Sequence, residues 1–294
     1  MSGFDFSKIP AVILAAGKGE RMNSDLPKVA HEVLGVPLVR WVSRALREAG
    51  IGRLIAVVGY KKETVQKLLE PDCTFVDQGD PRGTGHAVLA ARAALKGYSG
   101  PIVVLSGDAP LVAPSTIRAL VRGLDKLSAD AVVMTACVDS PTGYGRIVRD
   151  AQGRITRIVE QADAKEEVTI NEINGGAYAF EAPRIFDILS KVTSSAKGEY
   201  YLTDAVRLIL EGGGKVEAAR VTNPAEGWGV NSRRDLVSVA NYLRWQILEE
   251  HMKNGVTVVD PSSVYIEDGV TIGRDTTVFP YTVLQRGVKI GARC

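Results

Sequence analysis

Ile9-Pro-Ala-Val-Ile-Leu-Ala-Ala-Gly-Lys-Gly-Glu-Arg-Met22, carried on through Asp25-Leu-Pro-Lys28, is the stretch on which the reading of this chain turns. The apolar run from Ile9 to Leu14 predicts a buried parallel strand, broken abruptly by small residues. Ala15, Ala16, Gly17 and Gly19 leave the backbone bare, so its N–H groups can close on a phosphate without steric hindrance. Arg21 and Lys28 bring two cations to the same mouth. A strand delivering a bare anion-binding loop and two cations suits a nucleoside triphosphate. The dinucleotide fingerprint requires a third glycine where Met22 stands, and the P-loop requires a Gly-Lys-Ser/Thr ending that is absent here.

The totals narrow the class. The 294 residues allow a large domain plus a smaller unit, and the apolar and charged fractions are those of an ordinary globular protein. A net charge of +2 gives no general polyanion-binding surface, so nucleic acid is not implied and phosphate chemistry must rest on locally placed cations. Cys73, Cys137 and Cys294 are scattered with no Cys-x-x-Cys pair, which argues against a zinc knuckle or a disulfide framework. With no signal peptide and no long apolar span, a cytoplasmic protein with no membrane partner is expected.

The order of the remaining motifs predicts a doubly wound α/β sheet. Met1 to Lys8 reads as a loose leader. Leu38 to Ala49 has helical spacing, with Trp41 as core, followed by a strand at Arg53–Val58 and a helix at Glu63–Leu69. Phe75 to Gln78 is a short strand ending in an amide, which offers both donor and acceptor to a pyrimidine edge, before the Gly83-Thr84 helix start. His86 reads as structural. Ile102 to Leu105 is a central strand, and Ser106-Gly107-Asp108 follows it into the crevice where such sheets bind ligands. Asp108 is a hard oxygen donor suited to Mg²⁺. Val132–Val138 and the hairpin from Pro141 to Glu160 are expected to form a sugar-side subdomain apart from the parallel sheet. Thr203 and Asp204 open a helix to Glu211, and Asn231 reads as the N-cap of a long helix over Arg234–Lys253. Beyond Gly255, Ile266, Ile272, Val278, Leu284 and Ile290 recur every six residues, with Val264, Val270, Thr276, Thr282 and Val288 as a parallel series. That period is the hexapeptide repeat of a parallel β-helix, here ending at Cys294 in mid-coil, which points to a truncation or to oligomer contacts.

Leu-Ala-Ala-Gly-x-Gly-x-Arg-Met followed by Leu-Pro-Lys resembles the signature of the sugar-phosphate nucleotidyltransferases. Within them the chain most resembles the N-terminal half of the bacterial bifunctional N-acetylglucosamine-1-phosphate uridylyltransferase / glucosamine-1-phosphate acetyltransferases, along nearly its whole length. The resemblance implies a Rossmann-like nucleotidyltransferase domain over 1–232, a connecting helix over 233–254 and the first coils of a left-handed parallel β-helix over 255–294. It implies Arg21, Lys28 and Asp108 as catalytic residues. Leu14, Ala15, Ala16, Gly17, Gln78, Gly83, Thr84, Ser106 and Gly107 would hold the nucleotide, and Gly145, Glu160, Asn174 and Thr203 the sugar. Asp108 and Asn231 would hold Mg²⁺. The implied reaction joins UTP and N-acetylglucosamine 1-phosphate into UDP-N-acetylglucosamine and pyrophosphate, a precursor for cell wall and lipopolysaccharide, in a full-length homotrimer. No acetyltransferase activity is expected, because that site lies in later coils. The alternatives are a thymidylyl- or guanylyltransferase acting on another hexose phosphate, a hexapeptide acyltransferase or scaffold with a degenerate front domain, and an NAD-dependent oxidoreductase. The glycine pattern opposes the last, and the complete Arg21, Lys28, Asp108 and Asn231 set opposes degeneracy.

Overall fold

The structure, a computed structural model, describes residues 5–192 and 198–294. The opening apolar run forms β1 (Pro10–Ala15), followed by a small ribbon of β2 (Glu32–Val33) and β3 (Val36–Pro37). Next come α1 (Leu38–Glu48), β4 (Arg53–Val58), α2 (Lys62–Leu69), β5 (Cys73–Asp77), α3 (Thr84–Ala90), β6 (Pro101–Ser106) and α4 (Pro114–Lys126). The chain continues through β7 (Ala131–Cys137), the hairpin of β8 (Arg146–Arg149) and β9 (Ile155–Val159), and the long β10 (Glu172–Glu181). It then runs through α5 (Ala182–Leu189), α6 (Leu202–Glu211), β11 (Val216–Arg220) and α7 (Arg233–Lys253).

One sheet of order β11-β7-β10-β6-β1-β4-β5 carries the fold. β6, β1, β4 and β5 are parallel neighbours, whereas β10 runs antiparallel to both β6 and β7. Side chains alternate across the pleat. Ala11, Ile13, Leu54, Ala56, Val103 and Leu105 pack under α1, α2 and α4. Val12, Ile55, Val57, Ile102 and Val104 pack under α3, α5 and α6. Both faces of the central strands are dry, which is why they read as continuous apolar runs rather than alternating ones.

Two expectations are corrected here. The strand at Ala131–Cys137 does not stand in a separate subdomain: it joins the main sheet through β10 and β11. Its first six residues are buried, and only a sheet covered on both sides can bury such a run. The β8–β9 hairpin alone leaves the sheet path, touching it where Arg146 pairs with Ile173. Met1–Phe4 lie outside the described residues, and the rest of the supposed leader is ordered. Asp5 caps a short 3₁₀ turn at Phe6–Lys8, and Phe6 packs on the core beneath the α1, α2 and α4 layer.

The period-six segment folds as six two-residue strands: β12 (Thr257–Val258), β13 (Tyr265–Ile266), β14 (Thr271–Ile272), β15 (Thr277–Val278), β16 (Val283–Leu284) and β17 (Lys289–Ile290). They pair in parallel as β12 with β15, β13 with β16 and β14 with β17. Helix α7 joins the two regions. Its first half packs Val239 and Leu243 against Leu34, Leu38 and Val230, and its second half buries Leu248 with Val256, Val264 and Ile266. Arg44 of α1 also meets Asp268 with two hydrogen bonds of 2.8 and 2.9 Å.

Candidate active site

The site is built at the carboxyl ends of β1, β6 and the first half of β10, where parallel strands run out and loops take over. Three carbonyls of the first loop turn into the protein. Leu14 O accepts from Gly107 N (2.9 Å), Ala16 O from Tyr60 N (3.0 Å) and Lys18 O from Lys28 N (3.2 Å). A trans peptide points its N–H opposite to its carbonyl, so the Gly17 N–H faces away from Tyr60. Gly19 sits at a φ of +75°, and a Cβ there would lie 2.4 Å from Cβ of Lys28. The glycine is therefore required by the close passage of the Lys28 stem.

Four polar groups then converge. The Lys28 ammonium pairs with the Asp108 carboxylate and donates to Asn231 Oδ1 at 3.1 Å. Arg21 Nη2 donates to the same Oδ1 at 2.9 Å. Asp108 itself is held against the Asn231 loop, because Val230 N donates to Asp108 O at 2.9 Å. Asn231 was expected to cap the long helix, and the structure gives that work to Ser232. Ser232 Oγ accepts from Asp235 N, while Asp235 Oδ2 accepts from Asn231 N and Ser232 N. This capping box leaves the Asn231 amide free to meet the two cations.

The other half of the cavity is walled by the hairpin and β10. Gly145 O accepts from Asn174 N at 2.9 Å, so the second glycine of Gly-Tyr-Gly is stitched to the strand that carries Asn174. β10 shifts register between Asn174 and Tyr178, and Gly176 takes a φ of +72° within the shift. A Cβ on Gly176 would meet Ser106 Oγ at 3.0 Å, so the bulge packs closely on the end of β6. Asn174 Nδ2 donates to the buried Tyr178 hydroxyl at 2.5 Å, and Oδ1 accepts from Gly176 N. Glu160 accepts from Thr203 Oγ1 at 2.8 Å. Burial pushes the Glu160 carboxyl above its ordinary range, Asp163, Asp204 and Glu199 add to this, and the Thr203 hydrogen bond opposes it. Burial likewise raises the Tyr144 and Tyr178 phenols.

These groups line one cavity of about 330 Å³, within the range of small-ligand sites. Arg21, Lys28, Asp108 and Asn231 share its wall with Gly145, Glu160, Asn174 and Thr203, and Leu14, Thr84 and Ser106 line it too. Ala15, Ala16, Gly17, Gln78, Gly83 and Gly107 are not on its wall. Gln78 is buried at the end of β5, its amide donating to Gly83 O at 3.1 Å and lying 3.2 Å from His86 Nδ1. His86 thus lies against the Gln78 amide. Gly83, at a φ of +98°, lets Tyr200 approach, and Thr84 Oγ1 accepts from Leu202 N at the start of α6. Sequence reasoning passed over Tyr144, Tyr178, Tyr201 and Gly229, which also line the cavity. Tyr144 could have been found, since it lies inside a run already singled out. Tyr178 could not, because its hydroxyl reaches the site only through the bulge in β10.

The cluster suits an anion by composition, with two cations set against one carboxylate at the strand ends. It also fits a hard divalent cation. Asp108 and Asn231 both offer oxygen to the space now bridged by the Lys28 ammonium, and one or two protein oxygens are what such an ion usually takes beside phosphate.

Residues 11–168 match the family model described as the MobA-like NTP transferase domain. The chain is 42% identical over 290 residues to the bifunctional protein GlmU of Geobacter sulfurreducens, covering 97% of this chain and 61% of that protein. It is 44% identical over 289 residues to the bifunctional protein GlmU of Caldanaerobacter subterraneus subsp. tengcongensis, covering 98% and 63%. The chain thus spans less than two thirds of the length of these relatives. A crystal structure of UDP-glucose pyrophosphorylase complexed with UDP-glucose superposes with a TM-score of 0.65 at 22% identity, covering 81% of this chain and 99% of that one, a likeness of fold. The family match extends over more than half of the residues, from the first strand through the glycine loop, Asp108 and Glu160, and this chain therefore belongs to the MobA-like NTP transferase family.

Proposed function

We propose that the chain transfers a uridylyl group from UTP to N-acetylglucosamine 1-phosphate, giving UDP-N-acetylglucosamine and pyrophosphate. The observation that carries this reading is the single cavity that brings together Lys28, Arg21, Asp108 and Asn231 with Gly145, Glu160, Asn174 and Thr203. One half suits a triphosphate and the other a sugar bearing an amide. The high identity to proteins named GlmU favours this pairing over a thymidylyl- or guanylyltransferase.

The reaction needs no protein nucleophile. A phosphate oxygen of the sugar 1-phosphate attacks the α-phosphorus of UTP, a new P–O bond forms, and the bond to the β-phosphate oxygen breaks. Pyrophosphate leaves with that electron pair. Catalysis is then orientation plus neutralisation of charge that builds at the α-phosphate. Lys28 stabilises that charge, and Arg21 holds the leaving phosphates. Both cations now rest on Asn231 Oδ1, so an arriving phosphate takes over their hydrogen bonds. Asn174 and Glu160 accept and donate to the sugar hydroxyls and its amide, with Thr203 fixing the Glu160 carboxylate. Asp108 and Asn231 would hold Mg²⁺, which supplies Lewis-acid neutralisation of the phosphates when bound. Ala15, Ala16, Gly17, Gln78, Gly83 and Gly107 belong to the nucleotide side of this reading, with Gln78 and Gly83 as the contacts to uracil.

The same reading takes the three parallel strand pairs after α7 as the first coils of a left-handed β-helix that mediates trimer formation in the longer protein. The divisions 1–232, 233–254 and 255–294, and a cytoplasmic location, belong to it as well; among the described residues no helix is long and apolar enough to cross a membrane. Mass spectrometry of the product formed from mixed UTP, dTTP and GTP with N-acetylglucosamine 1-phosphate tests the substrate assignment. A predominant UDP-N-acetylglucosamine product is expected, and a thymidine or guanosine diphosphate sugar in its place would overturn it.

A further inference from the structure

Among the described residues Arg146 is the largest fully buried side chain, at 1% exposure, and it has no carboxylate partner there. Its guanidinium instead donates to Tyr144 O and, at 2.9 Å, to Gln161 Oε1, while its Nε has no partner. Burying an unneutralised guanidinium is costly, and desolvation alone depresses its proton affinity here. A cation kept in such a place is tied to something that needs a rigid fork of donors. What it holds is the loop on the sugar side of the cavity. Gln161 Oε1 also accepts from Gly143 N at 2.8 Å, so one side chain secures both the loop amide and the guanidinium beneath it. The far side of the loop is latched as well, because the Tyr144 hydroxyl accepts from Gly229 N at 3.2 Å, two residues before Asn231. Gln161 follows Glu160 directly, so the same turn that sends Glu160 into the cavity sends its neighbour to the clamp.

We infer that Arg146 and Gln161 are positioning residues that fix the Gly143–Gly145 loop in the geometry that receives the sugar phosphate, and that they set affinity for that substrate without acting on the nucleotide. The inference rests on the proposed uridylyl transfer and assigns two residues outside the cavity wall to its sugar side. Neither needs to touch substrate. Gln161 acts through the Gly143 amide, and Arg146 through the Tyr144 carbonyl. The loop would otherwise sample several backbone states, since Gly143 sits at a φ of +92° and is flanked by open solvent on one side.

Gln161 is only partly buried, so it can be exchanged without excavating the core. Gln161→Leu removes both acceptor contacts, whereas Gln161→Glu keeps them. In Gln161→Leu the KM for N-acetylglucosamine 1-phosphate should rise about tenfold, the loss of one hydrogen bond from the charged Arg146 and one from the Gly143 amide. The KM for UTP should stay near that of the parent protein, the melting temperature should fall because the buried Arg146 guanidinium loses an acceptor, and Gln161→Glu should restore both the sugar-phosphate KM and the melting temperature. Amide exchange at Gly143, measured on the ligand-free protein, should quicken in Gln161→Leu and not in Gln161→Glu. Equal changes in both KM values, or a sugar-phosphate KM that does not move, would overturn the inference. So would unchanged exchange at Gly143. A parent protein that releases no pyrophosphate would instead refute the proposed reaction, and the exchange measurement would still decide the clamp.

Discussion

Replacing Lys28 by Ala removes one ammonium and leaves three groups changed. Asp108 loses its counter-charge, Asn231 Oδ1 keeps only its 2.9 Å contact with Arg21, and the α-phosphate of a bound triphosphate loses a cation. The last effect sets the activity. A unit charge about 4 Å from a phosphate in a partly screened site is worth roughly 4 kcal/mol. Removing one preorganised donor to a developing oxyanion costs about 10² to 10³ in kcat. The two routes agree, so turnover should fall by about two to three orders of magnitude. Stability should move far less. The side chains of Lys28 and Asp108 are 20% and 13% exposed, so Asp108 regains water when its partner goes. A loss of about 1 kcal/mol and a melting temperature lowered by a few degrees are expected. Lys28→Arg should recover only a part, because a planar guanidinium does not reproduce the compact ammonium's two contacts with Asp108 and Asn231 Oδ1. Steady-state kinetics beside a thermal melt separates the two effects. A folded Lys28→Ala protein within about threefold of the parent rate would refute the reasoning.

Gly19→Ala should impair both folding and turnover, since the added methyl must sit at a positive φ and 2.4 Å from Lys28 Cβ; a cost of about 1–3 kcal/mol in a denaturant melt is expected. Ser232→Ala removes the cap of α7 and should cost about 1 kcal/mol by the same measurement, with turnover falling as the Asn231 loop loosens. Glu160→Gln separates stability from function through pH. The Glu160 carboxyl titrates above its unfolded value, so its contribution is fully present below the unfolded carboxylate range and is lost as pH rises through the raised value. The ionised form is therefore the destabilising one, and Glu160→Gln should melt higher than the parent at pH 8 and lose that advantage near pH 4. Sugar-phosphate affinity should fall in the same variant, and a melting difference independent of pH would contradict the assignment of burial as the cause.

The central sheet was legible because its strands are buried on both faces, which leaves continuous apolar runs such as Ile102–Leu105. The anion loop was legible for a related reason: a bare backbone and a pair of cations can be written only in small residues, Arg21 and Lys28. β10 was not. Its sequence, Glu172-Ile-Asn-Gly-Gly-Ala-Tyr-Ala-Phe-Glu181, does not read as a strand, because two glycines interrupt it, and those glycines lie in the bulge that brings the strand against Ser106. Without β10 nothing connects the Ala131–Cys137 strand to the sheet, and so that strand was assigned to the wrong unit. Asn231 shows a similar limit. Asn-Ser-Arg-Arg-Asp offers two adjacent capping side chains, and only the backbone geometry shows that Ser232 turns to the helix and Asn231 to the cations. The Arg146 clamp was hidden altogether, since an arginine after Gly-Tyr-Gly carries no mark of being buried.

The most direct test of the account is pyrophosphate release with UTP, Mg²⁺ and N-acetylglucosamine 1-phosphate, measured beside the same mixture with glucose 1-phosphate or with dTTP. The account predicts fast release in the first mixture, and release at least tenfold slower in each of the others. Release that favours another pairing, or no release from a folded protein in any of the three, would contradict it.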